Sequence, residues 1–203
     1  KLIPAADYKA RLDRLLYEEQ NAAATRNAKY LNNNEIALAA AVIAVARWKG
    51  LFALGSLAGF VLIVYGYGLA RQSPVVLYAP PVWTRHVAAL LMLPAFILIV
   101  AGNMRGTKMK AALGHPMVLG TKVWAFGHLL ANGMLADVVL FGSFLVWAVA
   151  DYMSARRRDR AAGVVYPPGM ASRDVLAVVI GTVAWAVFGF WLHGPLIGVR
   201  PFG

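Results

Sequence analysis

The four histidines are the side chains of this chain best suited to bind a metal or move a proton. They are His86, His115, His128 and His193. Neutral imidazole is the commonest metal ligand in proteins and a usual axial ligand of haem iron. The chain has no cysteine, which excludes thiolate metal sites, disulfides and cysteine catalysis. Walker, GxGxxG and HExxH motifs are also absent, so the common nucleotide and zinc-protease sites are excluded too.

The composition places these histidines in a membrane protein. Of the 203 residues, 60% are hydrophobic and only 14% are charged, and the mean hydropathy is +0.61. Several apolar runs approach or exceed the ~18 residues that indicate a spanning helix, and none alternates as barrel strands do. We therefore predict an all-α, polytopic helical membrane protein. It would have about five transmembrane helices and a helical N-terminal segment, with the lipid bilayer as its partner.

The N-terminal segment, residues 1–46, differs from the rest of the chain. Four of its apolar side chains would share one helix face: Tyr8, Leu12, Leu15 and Leu16. Charged side chains, including Glu18 and Glu19, fall elsewhere on that helix. The apolar run 36–46 is shorter than the ~17 residues needed to span a bilayer. The segment is interpreted either as an amphipathic surface helix or as sequence foreign to the transmembrane domain predicted at 47–203.

Five apolar runs in that domain predict the spanning helices. They cover approximately residues 50–70, 82–102, 117–131, 134–150 and 174–192. The positive-inside rule places the start of the first run in the cytoplasm. The loops after the second and fourth runs, which hold most of the basic residues of this domain, then lie on the same side. The net charge of +11 is explained by this orientation and by lipid contact, so nucleic acid is not expected as a partner.

This topology separates the histidines by depth. His86, His128 and His193 fall toward the outer side, where these three side chains could converge. His115 precedes His128 by 13 residues, or about 20 Å along a helix axis. Those two histidines cannot bind one iron from a straight helix. His115 is followed by Pro116, which is typical of a helix start.

Polar residues around His128 suggest two further features. Trp124, His128 and Asn132 are spaced i, i+4 and i+8, so they share one helix face. His128 is interpreted either as a haem-iron ligand or as a histidine that hydrogen-bonds a neighbouring helix. Charges within the membrane usually find partners, and we expect Arg85 and Asp137, at comparable depth, to pair.

Five stretches of the chain resemble the NnrU family of bacterial membrane proteins. They are RWKGLFALGSLAGFVLIVYGYGLAR, PPVWTRHVAALLMLPAFILIV, HPMVLGTKVWAFGHLLANG, LFGSFLVWA and FWLHGPLIGV, and the resemblance covers about residues 47–200. The most specific part is the HPM…W…HLLANG…LFG string. The resemblance implies a role in denitrification or nitric oxide metabolism in the bacterial inner (cytoplasmic) membrane. The family is related to 15-cis-zeta-carotene isomerase, a membrane protein with haem b that isomerises a double bond without net redox change.

The same resemblance implies haem b as the cofactor here. In the isomerase a histidine in the helix after the H-P motif is a haem ligand, and the matching position is His128. His86 or His193 would be the second ligand by depth, with Trp124 and Asn132 beside the haem. Two departures from the family pattern matter. No histidine precedes His86, although family members usually carry a histidine-serine pair in an earlier helix, and the cysteine of the isomerase's redox switch is missing.

These observations leave three functions open, and none assigns a catalytic residue. The first is a haem-binding protein that performs redox chemistry, electron transfer or isomerisation on a hydrophobic small-molecule substrate, with enzymatic activity undecided. The second is a non-catalytic accessory subunit of a respiratory or denitrification complex. The third is a membrane methyltransferase that uses S-adenosylmethionine, because the HPMxxxG string is similar to one in relatives of isoprenylcysteine carboxyl methyltransferase.

Overall fold

The computed structural model describes residues 4–17 and 21–202 and confirms the all-α prediction. Its helices are α1 (Ala5–Tyr17), α2 (Asn21–Ala28), α3 (Asn33–Ala70), α4 (Val82–Asn103), α5 (Lys108–Leu113), α6 (Pro116–Ala131), α7 (Leu135–Ala161), α8 (Ala171–Val187) and α9 (His193–Ile197), with a π-helical turn at Phe188–Leu192. Extended pairing in the described ranges is limited to two isolated bridges. The chain forms two compact units, Lys1–Gly66 and Tyr67–Gly203.

The first unit has a small core at its amino-terminal end. Six buried side chains from α1, α2 and the start of α3 form it: Leu12, Leu15, Ala24, Ala28, Ala39 and Ile43. The leucines predicted to share a face of the first helix therefore do so, and Leu16 packs against the same core. At the rim, Lys9 pairs with Glu35 at 2.9 Å. Glu18 and Glu19 lie outside the described residues.

Helix α3 is one continuous helix of 38 residues, about 57 Å long. The sequence suggested a short run at 36–46 and a separate helix from 50 to 70. The charged positions between them, Arg47 and Lys49, do not break the helix, because both residue types favour helix and no proline or glycine lies between Asn33 and Lys49. The helical structure breaks between Ala28 and Asn33, and Asn32 caps α3 by accepting a hydrogen bond from the Glu35 backbone N–H at 3.0 Å.

Within the described residues, four helices are long and apolar enough to cross a membrane. They span Asn33–Ala70, Trp83–Asn103, Leu135–Ala161 and Ala171–Ile197. The remaining predicted spanning helix is α6, which has only 16 residues. At about 24 Å it is shorter than the ~30 Å hydrocarbon core of a bilayer. The polytopic membrane architecture is therefore present with four full-length candidate spans, and α6 is a shorter helix within the bundle.

The helices of the second unit form a row in the order α7, α6, α4, α8. Small residues allow α4 to approach its two neighbours closely. A Cβ atom built on Gly120 of α6 would lie 2.8 Å from the carbonyl oxygen of Ala95 on α4. One built on Gly181 of α8 would lie 2.6 Å from the Cα atom of Ile97. Helix α6 is thus held between α4 and α7, and its carboxyl-terminal turn carries His128.

Two predicted helix boundaries in this unit were wrong, namely the end of α7 and the start of α8. Helix α7 extends to Ala161, past the predicted end at Ala150, because residues 151–161 contain no glycine or proline. Arg156, Arg157 and Arg158 therefore lie on a helix. The last helix, predicted to begin near residue 174, already begins at Ala171. The Asp174 carboxylate accepts a hydrogen bond from the Met109 backbone N–H at 3.2 Å.

Candidate functional site

The His128 ring is held by a hydrogen bond within its own helix. Its Nδ1 lies 2.9 Å from the carbonyl oxygen of Trp124, one turn earlier. A carbonyl oxygen only accepts hydrogen bonds, so Nδ1 carries the proton. In the neutral imidazole the lone pair is then on Nε2. This is the arrangement in which a histidine ligand donates one ring N–H to a backbone carbonyl and binds a metal through the other nitrogen.

Aromatic rings from α6 and α7 surround this imidazole. His128 stacks on Phe141 with ring centroids 4.6 Å apart and planes inclined by 29°. Trp124 lies at 5.2 Å from the His128 ring and packs edge-on against Phe141 and Phe144. The predicted proximity of Trp124 and His128 is thus realised as a ring contact. Trp124, Phe141 and Phe144 form an apolar wall at the junction of α6 and α7, and the first two of these rings contact His128.

Asn132 bonds the backbone at the end of α6. The Asn132 side-chain Nδ2 donates to the His128 carbonyl oxygen at 2.9 Å. The backbone carbonyl oxygen of Asn132 accepts a hydrogen bond from the Tyr78 hydroxyl at 2.8 Å. Tyr78 also bonds the carbonyl of Leu129. Burial, with a smaller effect of Asp137, raises the pKa of Tyr78 above its usual value, so this hydroxyl remains a donor at neutral pH. These contacts fix the position of the turn that carries His128.

His193 repeats the hydrogen-bonding pattern of His128. Its Nδ1 lies 2.6 Å from the Val199 carbonyl oxygen, which again leaves the lone pair on Nε2. The Phe188 ring stands edge-on at 5.5 Å. Trp185, two turns before His193, donates to the Ala89 carbonyl oxygen of α4 at 3.2 Å. Gly127, next to His128, faces Leu91 and Met92 of the same helix. The structure therefore brings these two histidines to the same end of the bundle.

His86 lies in the first turns of α4, where it is exposed. Its imidazole makes no hydrogen bond or ring contact within residues 4–17 and 21–202. The same residues contain no group of three or more histidine or carboxylate side chains that could hold a metal ion. A haem needs no such group, because the porphyrin supplies four ligands and the protein supplies only the axial ones.

The expected pairing of Arg85 with Asp137 is wrong. Asp137, buried in the first turn of α7, accepts a hydrogen bond from the Tyr67 hydroxyl at 2.5 Å and one from the Met134 backbone N–H at 3.2 Å. Arg85 is exposed and forms no ion pair in the described part of the chain. These two hydrogen bonds satisfy the carboxylate. The carboxylate is also close enough to act electrostatically on the His128 imidazole. Nothing in the spacing of Tyr67 and Asp137 indicated this contact.

A second polar cluster lies at the opposite end of the same helices. His115 Nε2 is 2.8 Å from Asp159 Oδ2, and the Tyr166 hydroxyl donates to the same oxygen at 2.8 Å. Arg156 is farther away, at 3.7 Å. His115 does begin α6, as Pro116 indicated. Its side chain additionally joins that start to α7 and to the loop after it. Sequence reasoning missed Asp159 and Tyr166 because they are 44 and 51 residues away.

Replacing Asp159 with asparagine is expected to destabilise this end of the bundle. Losing the carboxylate charge weakens the hydrogen bonds that Asp159 accepts from His115 and Tyr166, so the melting temperature should fall. Burial, followed by the bond to Asp159, raises the pKa of Tyr166, so its hydroxyl still donates at neutral pH. The measurement is thermal unfolding in detergent micelles. Asp151→Asn on the same helix is the control, and equal melting temperatures for both variants would contradict the cluster.

One family model matches most of the chain. It describes the NnrU protein and covers residues 31–201, a range that includes both polar clusters of the second unit. Comparison with curated proteins and with solved structures gives no match.

Proposed function

The chain belongs to the NnrU family, and from this premise we propose that it is an integral membrane haem-binding protein whose haem lies at the His128 end of the bundle. The hydrogen bond from His128 Nδ1–H to the Trp124 carbonyl is the observation that carries this proposal. It presents Nε2 as a ligand atom and fixes the orientation of the ring. The aromatic wall of Trp124, Phe141 and Phe144 suits an apolar macrocycle.

His193 is the second ligand in this proposal, in preference to His86. Its Nδ1–H is also occupied by a backbone carbonyl, and it shares an end of the bundle with His128. His86 has no hydrogen bond in the described residues to fix its tautomer. Bound haem would supply one-electron redox chemistry or a Lewis-acidic iron. The buried Asp137 carboxylate, hydrogen-bonded by Tyr67, would hold or move a proton near the ligands.

The finer biological role rests on the family. We propose redox chemistry, electron transfer or double-bond isomerisation of a hydrophobic small molecule, in connection with denitrification or nitric oxide metabolism in the bacterial inner membrane. The membrane-spanning helices support a substrate that partitions into lipid. Asp137 and Tyr67 are the acid–base groups that such a reaction would find at this end of the bundle.

The experiment is the absorption spectrum of the purified protein, expressed with an adequate supply of haem. We expect a Soret band and, in the reduced state, the sharp visible bands of six-coordinate low-spin iron. His193→Ala should retain haem but convert it to a high-spin form, because one axial ligand is lost. His86→Ala should leave the spectrum unchanged.

Two results would overturn parts of this proposal. A protein without a Soret band would not be a haem protein, and co-purification of a partner complex would then favour an accessory subunit. A change of spin state in His86→Ala but not in His193→Ala would reassign the second ligand while leaving haem binding intact.

A further inference from the structure

One face of α7 carries an apolar groove that runs into a cluster of arginines. The apolar part, of about 470 Å³, is lined by Leu145, Val146, Val149, Ala150, Met153, Ser154 and Arg157. The basic part, of about 300 Å³, is lined by Tyr152, Met153, Arg156, Arg157 and Arg160. Because Met153 and Arg157 line both, the two parts form one surface, which we call the α7 groove.

The spacing of the lining residues explains why the groove is continuous. Val146, Val149, Met153 and Arg157 recur at intervals of three or four residues and therefore lie along one helix face. Val146 is 71% exposed and Met153 is 49% exposed, so no other described helix covers this face of α7. Arg157 lies 22 residues after Leu135, about 33 Å along the axis. It thus reaches the headgroup region when the apolar residues before it fill the ~30 Å hydrocarbon core.

The arginines of the groove differ in their partners. Arg158, which lines neither part of the groove, donates to the Ser154 hydroxyl at 2.6 Å, and Arg156 is 3.7 Å from Asp159. Arg157 and Arg160 form no ion pair or hydrogen bond within the described ranges. Like charges three residues apart on a helix repel each other, so an anion between them would be stabilising. Guanidinium groups bind phosphate oxygens in a bidentate geometry.

We propose that the α7 groove binds an anionic glycerophospholipid. The phosphate group would lie between Arg157 and Arg160, and one acyl chain would follow the apolar face from Met153 to Val146. Charge complementarity selects an anionic head, and the apolar half selects a molecule that carries a hydrocarbon chain. No residue that lines the groove belongs to the aromatic wall beside His128, so lipid binding can be tested separately from haem binding.

Lipid binding to the detergent-purified full-length protein tests this proposal. Native mass spectrometry would compare dioleoyl phosphatidylglycerol with dioleoyl phosphatidylcholine. We expect preferential retention of phosphatidylglycerol and an about 30-fold weaker affinity in Arg157→Gln/Arg160→Gln, since each basic residue at a membrane surface contributes about a fivefold factor. The matched control is Arg105→Gln/Arg173→Gln, which removes the same charge from exposed positions at the same end of the bundle.

A second variant separates a specific site from general attraction. Val149→Phe fills the apolar half without changing any charge, and it should also weaken phosphatidylglycerol binding. Soluble glycerophosphoglycerol, which lacks acyl chains, should fail to compete. Equal losses in the two double-arginine variants, equal binding of the two lipids, or full competition by the soluble headgroup would each overturn the proposal.

Discussion

His128→Ala is expected to remove most of the haem from the purified protein. The Trp124 carbonyl holds Nδ1–H at 2.9 Å, so only Nε2 is available to the iron, and alanine supplies no substitute. Loss of a residue that merely orients a metal ligand typically lowers metal affinity 10- to 100-fold. Loss of the ligand itself should cost at least as much. The measurement is the ratio of Soret to protein absorbance after purification under identical haem supply.

The control for this variant is His115→Ala. His128 lies within α6, and His115 immediately precedes that helix. His115 is 13 residues earlier than His128 and bonds Asp159. It should keep its Soret band while losing some thermal stability. Added imidazole should restore part of the band in His128→Ala, because it can occupy the vacated space beside Phe141. An unchanged spectrum in His128→Ala would remove His128 from the ligand role.

Helical periodicity predicted those contacts of the candidate site that are short-range. His128 and Trp124 are one helical turn apart, so their shared face followed from helical periodicity alone. The tautomer of His128 did not follow, because it depends on the Trp124 carbonyl, which periodicity does not specify. The proposed preference for His193 over His86 rests on the contact of His193 with the Val199 carbonyl, which depth in the membrane does not indicate. By predicted depth in the membrane, His86 and His193 are equally suited to be the second ligand.

Long-range contacts were the part that sequence reasoning could not supply. Arg85 was a plausible partner for Asp137 by depth and charge, but depth does not determine on which side of a helix a residue lies. The hydroxyl of Tyr67 bonds Asp137 instead, across 70 residues of sequence. A buried carboxylate needs hydrogen-bond donors and does not require an opposite charge. Rules that search only for ion pairs therefore miss this arrangement.

Helix boundaries were predicted well where glycine or proline marks them and poorly elsewhere. The start of α6 at Pro116 follows from the preference of proline for the first helical turn. The end of α7 was placed too early, because the loss of hydrophobicity after Ala150 was taken as the end of the helix. Polarity marks the edge of the hydrocarbon core, whereas the backbone continues until Gly163 permits the turn, at a φ of 61°.

Gly120→Ala and Gly142→Ala are expected to change stability in opposite directions. A Cβ atom on Gly120 would lie 2.8 Å from the Ala95 carbonyl oxygen and 2.9 Å from Ile99 Cγ1. The backbone oxygen cannot move away unless α4 and α6 separate, and such overpacking costs about 1–3 kcal/mol. Gly142 on α7 has no neighbour within 4 Å of the added atom. There the exchange should stabilise the helix, by up to about 1 kcal/mol.

Thermal unfolding of the two variants in the same detergent measures this difference, because both exchanges add a single methyl group within a helix. The haem spectrum links the result to the site, since Gly127 also faces α4 and immediately precedes His128. Separation of α4 from α6 should therefore broaden or shift the Soret band in Gly120→Ala at temperatures below unfolding. If both variants were stabilised, α4 and α6 could not approach as closely as described. In that case the position of His128 would not depend on close packing at Gly120.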